Sequence, residues 1–155
     1  VPPLMSVDDY LARVLSLVTT TEVVSLPLTD CLGCALAEDV VAPWSLPNFD
    51  NSSMDGYAVL AADVAEATSD SPASLEVIAD LAAGFTTDLA VRPGTAIRIM
   101  TGAPIPAGTT AVVPVERTDG SMGTVMIHES VDDGAFIRRA GDDVTAGDLV
   151  LSAGT

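Results

Sequence analysis

The spacing of apolar residues changes period along the chain, and the expected elements follow those changes. From Val7 the spacing is helical. Val7, Leu11, Val14, Leu15 and Val18 share one face of a helix expected over residues 7–19. Ser6 stands ready to cap it, and Asp8 and Asp9 sit in its first turn, where acids complement the helix dipole. Such a stripe needs a covering surface. Residues 22–28 alternate loosely and read as a strand running into the turn Pro27-Leu28-Thr29-Asp30. Residues 31–37 suit a short helix, and 38–42 a strand that ends before Pro43. The stretch 43–56, PWSLPNFDNSSMDG, then breaks every periodicity. Loops of that length without secondary structure are uncommon in compact domains and are often functional.

Past this loop, period two dominates. Short strands are expected over 57–60, 75–81, 95–100, 111–117, 124–128 and 135–138, with a helical turn at 61–67. Turn signals separate them at Ser71-Pro72, Arg92-Pro93-Gly94, residues 102–108 and Asp119-Gly120. Strands this short at this spacing build a small barrel or sandwich. The expected class is α+β, mostly β.

Composition sharpens the picture in two places. Hydrophobic residues make up 48% and charged residues 18% of the 155, which supports a buried core and argues against disorder. The formal net charge is −16, from 22 acids against six basic residues, all arginines. A surface that acidic repels phosphate backbones and anionic bilayers, so nucleic acid and membrane are poor partners. No apolar run is long enough to span a bilayer and no secretory pattern opens the chain, so a cytoplasmic location is expected.

Cys31 and Cys34 are spaced C-x-x-C, with no second ligand pair and a single histidine, His128, far along the chain. Structural zinc usually needs four ligands. A redox dithiol is expected to open a helix after a strand in a thioredoxin-like unit. With both the ligands and that redox context lacking, the pair is expected to be reduced and unmetallated, and His128, in an alternating strand, to be structural.

Three segments carry candidate chemistry. Asp50-Asn51-Ser52-Ser53-Met54-Asp55-Gly56-Tyr57 gathers two carboxylates, an amide and two hydroxyls ahead of a glycine. Oxygen donors of this kind suit Mg²⁺ with bound waters and a substrate phosphate, although Asx-turn chemistry alone would also account for the loop. An EF-hand register fails, because Ala62 falls where the bidentate acid belongs. Arg98 to Gly108, RIMTGAPIPAG, is a strand opening into a Gly/Pro loop. There Gly102 and Gly108 allow close approach of backbone N–H groups to an anion, and Thr101 adds a hydroxyl. No lysine follows, so this is not a P-loop, and a plain hairpin connection is the alternative. In Phe136 to Asp143, FIRRAGDD, the adjacent Arg138 and Arg139 point to opposite faces of a strand. One can pair with a neighbouring acid while the other is free for an anion, and a solvated ion-pair cluster is the alternative.

Taken in order, PNFDNSSMDGYAV, RIMTGAPIPAGTTAVVPVE and IRRAGDDVTAGDLVLSAGT resemble the molybdopterin molybdotransferases, MoeA and the E domain of gephyrin. CLGCALAEDVVAP is similar to the segment ahead of the first motif. The resemblance covers nearly the whole chain. Ser53 stands where the family usually has Ala, Asp142 where Glu is usual, and Cys34 where Arg is common.

The resemblance implies a mixed domain built from residues 1–45 and 141–155, with a β-barrel-like domain, 46–140, inserted into it. It implies catalytic roles for Asp55 and Thr101, with Asp55 the metal contact, and an acidic position near the site at Asp143. Asp50, Asn51, Ser52, Gly102 and Arg138, from the segments above, join Asp143 as expected substrate contacts. The implied reaction takes adenylylated molybdopterin and molybdate, with Mg²⁺, and releases AMP and molybdenum cofactor. It further implies a homodimer whose active site needs an α/β domain of the partner subunit, so this stretch alone is not expected to turn over. A non-catalytic, gephyrin-like scaffold on the same fold is the alternative role.

Overall fold

The computed structural model describes residues 4–155. It divides into two compact units, one running to Val40 and resumed at Leu151–Thr155, the other Val41–Val150.

In the first unit the helix α1 forms over Val7–Leu15, with the Ser6 hydroxyl oxygen accepting from the Asp9 N–H at 3.1 Å. It stops a turn short of expectation. Ser16 folds its hydroxyl back onto the Arg13 carbonyl at 2.8 Å, and the β-branched run from Val18 to Thr21 disfavours continuation. The apolar stripe is uncovered within the unit: α1 buries no residue. Neither the strand at 22–28 nor the helix at 31–37 is present. A 3-10 turn covers Leu28–Asp30, and a β-turn over Cys31–Cys34, with Gly33 at φ +85°, ends any helical path. Leu36 exchanges backbone hydrogen bonds with the chain terminus, donating to the Thr155 carbonyl and accepting from Gly154 N–H. The expected strand at 38–42 contracts to β1, Val40–Val41, at the boundary of the two units, and the last strand of the chain is β9, Leu149–Leu151.

The second unit carries β2 (Asn51–Ser52), β3 (Gly56–Val59), a one-turn helix α2 (Ala61–Val64), β4 (Ala73–Leu81), β5 (Thr95–Ile99), β6 (Ala111–Pro114), β7 (Thr124–Ile127) and β8 (Ile137–Arg138). Five strands form one sheet in the order β6-β3-β5-β4-β7. All its pairings are antiparallel except β4 with β5, which run parallel. Parallel neighbours need a crossover rather than a hairpin, and residues 82–94 supply it without regular structure.

Both faces are buried along the central strands. Tyr57, Val59, Ala96, Val113, Val125 and Ile127 pack on one side, and Ala58, Ile97, Ile99 and Val112 on the other. That is the alternation of period two with each face covered. Past β6 the chain makes a 3-10 turn over Val115–Arg117 and reaches β7, where Asp119 N–H donates to Met126 O at 3.2 Å and His128 N–H to Arg117 O at 2.9 Å. The fold is mixed α+β, mostly strand, with a sheet curled into a half-barrel. The expected strand over 111–117 ends early because Pro114 brings no N–H to continue the ladder. The one at 135–138 shortens because Phe136 turns at φ +57°.

Candidate functional site

The expected structureless loop contains the organising element of the site. β2 is only two residues long, yet it is hydrogen-bonded on both edges. On one side Asn51 pairs with Arg138 and Ser52 with Ile137 of β8. On the other, Ser52 N–H donates to Ala103 O at 3.1 Å, Gly102 N–H to Ser52 O at 2.9 Å and Ile105 N–H to Asp50 O at 3.0 Å. The three motif segments, far apart in sequence, therefore meet on one short strand. Asn51 and Ser52 are the buried polar residues among those described, at 3% and 0% exposure. Burying such groups is tolerable only when they are satisfied. Asn51 Nδ2 donates to Phe49 O at 3.1 Å, its Oδ1 accepts from Arg138 Nε at 3.1 Å, and Ser52 Oγ donates to Met54 O.

At the start of β3, the Asp55 carboxylate lies exposed over the loop. Its Oδ1 accepts two hydrogen bonds from one residue, the Thr101 N–H and the Thr101 hydroxyl, each at 2.7 Å. The backbone N–H first, then the hydroxyl, hold its pKa below the usual carboxylate range, and these bonds, helped by the Arg98 charge, outweigh the desolvation that opposes them. Asp50 is clamped differently. Its two oxygens take Ala140 N–H at 2.9 Å and Arg139 Nη1 at 2.6 Å. Those bonds, the backbone one foremost, likewise depress its pKa.

The two adjacent arginines separate as a strand requires. Arg139 pairs with Asp50, while Arg138 is held through Nε by Asn51, a neutral amide, and is exposed. Asp142 accepts from the Arg139 N–H at 2.6 Å and so fixes the turn after β8. Asp143 is exposed, and its N–H donates to Leu46 O at 2.9 Å. No hydrogen bond among the described residues brings its carboxylate to Asp55 or Thr101.

The proposed anion nest at the Gly/Pro loop is built otherwise than the spacing suggests. The N–H groups of Thr101, Gly102, Ala103 and Ile105 all have partners inside the protein. Gly102, at φ +81°, has open space where a side chain would stand, so it offers a ligand room rather than a donor. Gly108 is needed for packing, since a Cβ there would strike the Val91 carbonyl.

Sequence reasoning overlooked Arg98. It is directly opposite Tyr57 across the β3–β5 pair, half-buried, and its Nη1 reaches Met122 Sδ at 3.0 Å. The signal was available: a lone charge inside the apolar strand Ala96-Ile97-Arg98-Ile99. Three of the chain's six arginines, Arg98, Arg138 and Arg139, thus belong to the segments that bound this site. Among the described residues, no group of three or more His, Cys, Asp or Glu side chains is placed to hold a metal ion. Asp55, with one oxygen fully engaged by Thr101, can offer the other to a cation otherwise bound by water and substrate oxygens, the arrangement Mg²⁺ favours.

Fold and site together define a half-barrel α+β protein that presents an oxygen-rich, arginine-flanked surface built on a central two-residue strand. The sequence model of the family described as MoeA N-terminal region (domain I and II) matches residues 5–155, and the chain belongs to that family. It is 48% identical over 149 residues to molybdopterin molybdenumtransferase 2 of Mycobacterium tuberculosis, covering 96% of this chain and 37% of the relative. It is 39% identical over 150 residues to molybdopterin molybdenumtransferase of Synechococcus elongatus, covering 96% and 37%. The crystal structure of a molybdopterin biosynthesis moeA protein from Pyrococcus horikoshii OT3 superposes with a TM-score of 0.78 at 36% identity, covering 83% of this chain and 34% of that one. The chain spans a little over a third of the length of the curated relatives it matches.

Proposed function

We propose that this chain supplies the Asp55–Thr101 part of the active site of a molybdopterin molybdotransferase, which inserts molybdate into adenylylated molybdopterin and releases AMP. The observation that carries the reading is the convergence of the three motif segments on β2, with the Asp55 carboxylate charged and exposed beside them. The relatives' names supply the substrate class. In this reading Asp55 contacts Mg²⁺, and Thr101 fixes that carboxylate so that its second oxygen faces the ligand. Arg138, free of an acidic partner, opposes a phosphate or molybdate oxygen. Asp50, Asn51 and Ser52 hold the segments in register, Gly102 gives the ligand room, and Asp143 adds an acid near the rim. Mg²⁺, when bound, would neutralise the phosphoanhydride charge and favour departure of AMP.

The same reading assigns residues 1–45 with 141–155 to a mixed domain and 46–140 to an inserted barrel-like domain. The family description naming two domains supports it, as does the placing of all five sheet strands between Gly56 and Ile127. The compact units divide outside those limits, at 40/41 and 150/151. The reading includes a cytoplasmic homodimer in which an α/β domain of the partner subunit completes the site.

The test is a molybdenum-insertion assay on the longest natural form of the protein. Asp55→Asn lowers turnover by about tenfold or more. Asparagine keeps an oxygen for the Thr101 donors, so the melting temperature moves little. Full activity in that variant sinks the assignment.

A further inference from the structure

The CLGC segment has no part in the site just described, yet its backbone sets its two cysteines at the two ends of one turn. Cys34 N–H donates to the Cys31 carbonyl at 3.0 Å, which closes a four-residue β-turn, and Gly33 sits at its third position with φ +85°. A positive φ there is the mark of a type II turn, and β-turns hold their end Cα atoms within about 7 Å. Disulfides join Cα atoms about 4.4–6.8 Å apart. Both cysteines are free thiols, Cys34 exposed and Cys31 half-buried. Cys31 Sγ currently turns away, 3.4 Å from the Pro27 carbonyl, a weak bond that a χ1 rotation would exchange for contact with Cys34. Cysteines placed at the two ends of one turn differ in kind from a lone buried thiol: the second is always at hand to resolve what happens at the first.

We propose that Cys31 and Cys34 form a reversible oxidation site, a dithiol that low-molecular-weight disulfides convert to a disulfide across the Cys31–Cys34 turn. This departs from the expectation, drawn from the lack of a redox context in the sequence, that the pair stays reduced, and the turn that joins the two cysteines is the reason for the departure. The thiolate of one cysteine attacks a sulfur of the small disulfide, forming a mixed disulfide and releasing one thiol. The thiolate of the other then attacks the protein sulfur of that mixed bond and expels the second thiol. The protein loses two protons and two electrons, and the small disulfide is reduced to two thiols. With Cys34 exposed, the bond stays open to attack by small thiols, which places it with labile rather than structural disulfides. The next backbone bonds along the chain are those of Leu36 with Gly154 and Thr155, so the ring forms beside the contact that anchors the end of this unit.

The chain is incubated with glutathione disulfide at graded ratios to glutathione and followed by intact mass, thiol titration and peptide mapping. The native chain should lose both thiols together, two hydrogens in mass, with a 31–34 linkage and no attached glutathione. Cys31→Ser and Cys34→Ser should each stop at a single glutathione adduct. Gly33→Val, which strains the turn, should slow ring closure about fivefold or more while each thiol still reacts. Stable adducts on both cysteines of the native chain, disulfide-linked dimers, two thiols that persist, or a Gly33→Val chain that closes as fast as the native one would each overturn the proposal.

Discussion

Asp55 and Thr101 show how much a single residue pair sets here. Thr101 gives both its N–H and its hydroxyl to one carboxylate oxygen, so Thr101→Val removes one of two bonds and leaves the other. The Asp55 pKa should rise in that variant, and Thr101→Ser should leave it nearly unchanged, as read by carboxyl NMR titration. Asp50 makes the complementary case for stability. Its folded pKa lies below the ordinary value, so its contribution is complete above about pH 4 and fades as pH falls through the depressed value. Urea midpoints measured from neutral to acid pH should therefore fall less steeply in Asp50→Asn than in the native chain. The candidate residues were legible because Asp, Asn, Thr and Arg cluster in otherwise apolar surroundings. Their partners were not. Asp55 lies 46 positions from Thr101 and Asp50 lies 89 from Arg139. Nothing in residue type distinguishes the arginine that pairs with Asp50 from the one Asn51 holds.

At the scale of elements, the strands of the sheet were located because β3, β5 and β6 are largely apolar and buried on both faces while β4 and β7 alternate buried with exposed positions, and turn residues bounded them. It missed the parallel pairing of β4 with β5, since residues 82–94 cross over without the helical pattern that normally announces a parallel neighbour. It also missed β2, whose two polar residues carry no period and are strand only by virtue of what flanks them. Helix α1 was legible in its cap and start, while its end depended on a β-branched run that the apolar spacing conceals. Gly56 shows a constraint that no pattern encodes. A Cβ there would run into the Val113 carbonyl and crowd Pro114 Cα, because β3 and β6 approach with nothing between them. Gly56→Ala should therefore destabilise the chain by about 2 kcal/mol or more in chemical denaturation, through forced separation of the two strands. The same substitution at Gly123, where a Cβ meets nothing within 4 Å, serves as the control and should change stability little.

For the molecule as a whole, charge decides how strongly this chain by itself can hold an anionic ligand. Its formal charge is −16, and no lysine is present. Of the six arginines, Arg139 is bound to Asp50 and Arg117 to Glu129, Arg98 rests against a thioether, and Arg138 stands without an acidic partner on the site segments. Sites that stabilise phosphoanhydrides rely on several converging cations. On the proposed reading, Arg138 and a Mg²⁺ at Asp55 would provide two, set against a field that repels an incoming anion. Calorimetry of this chain with adenylylated molybdopterin and Mg²⁺ should therefore give a dissociation constant of about 1 mM or weaker. Raising the salt should weaken long-range repulsion and the local attraction together, so the constant should shift only modestly. Arg138→Gln should abolish the residual heat, whereas Arg117→Gln, whose charge already faces Glu129, should not. Micromolar binding by the native chain would mean that these two cations suffice, and that the donors expected from a partner subunit are not needed to hold the substrate.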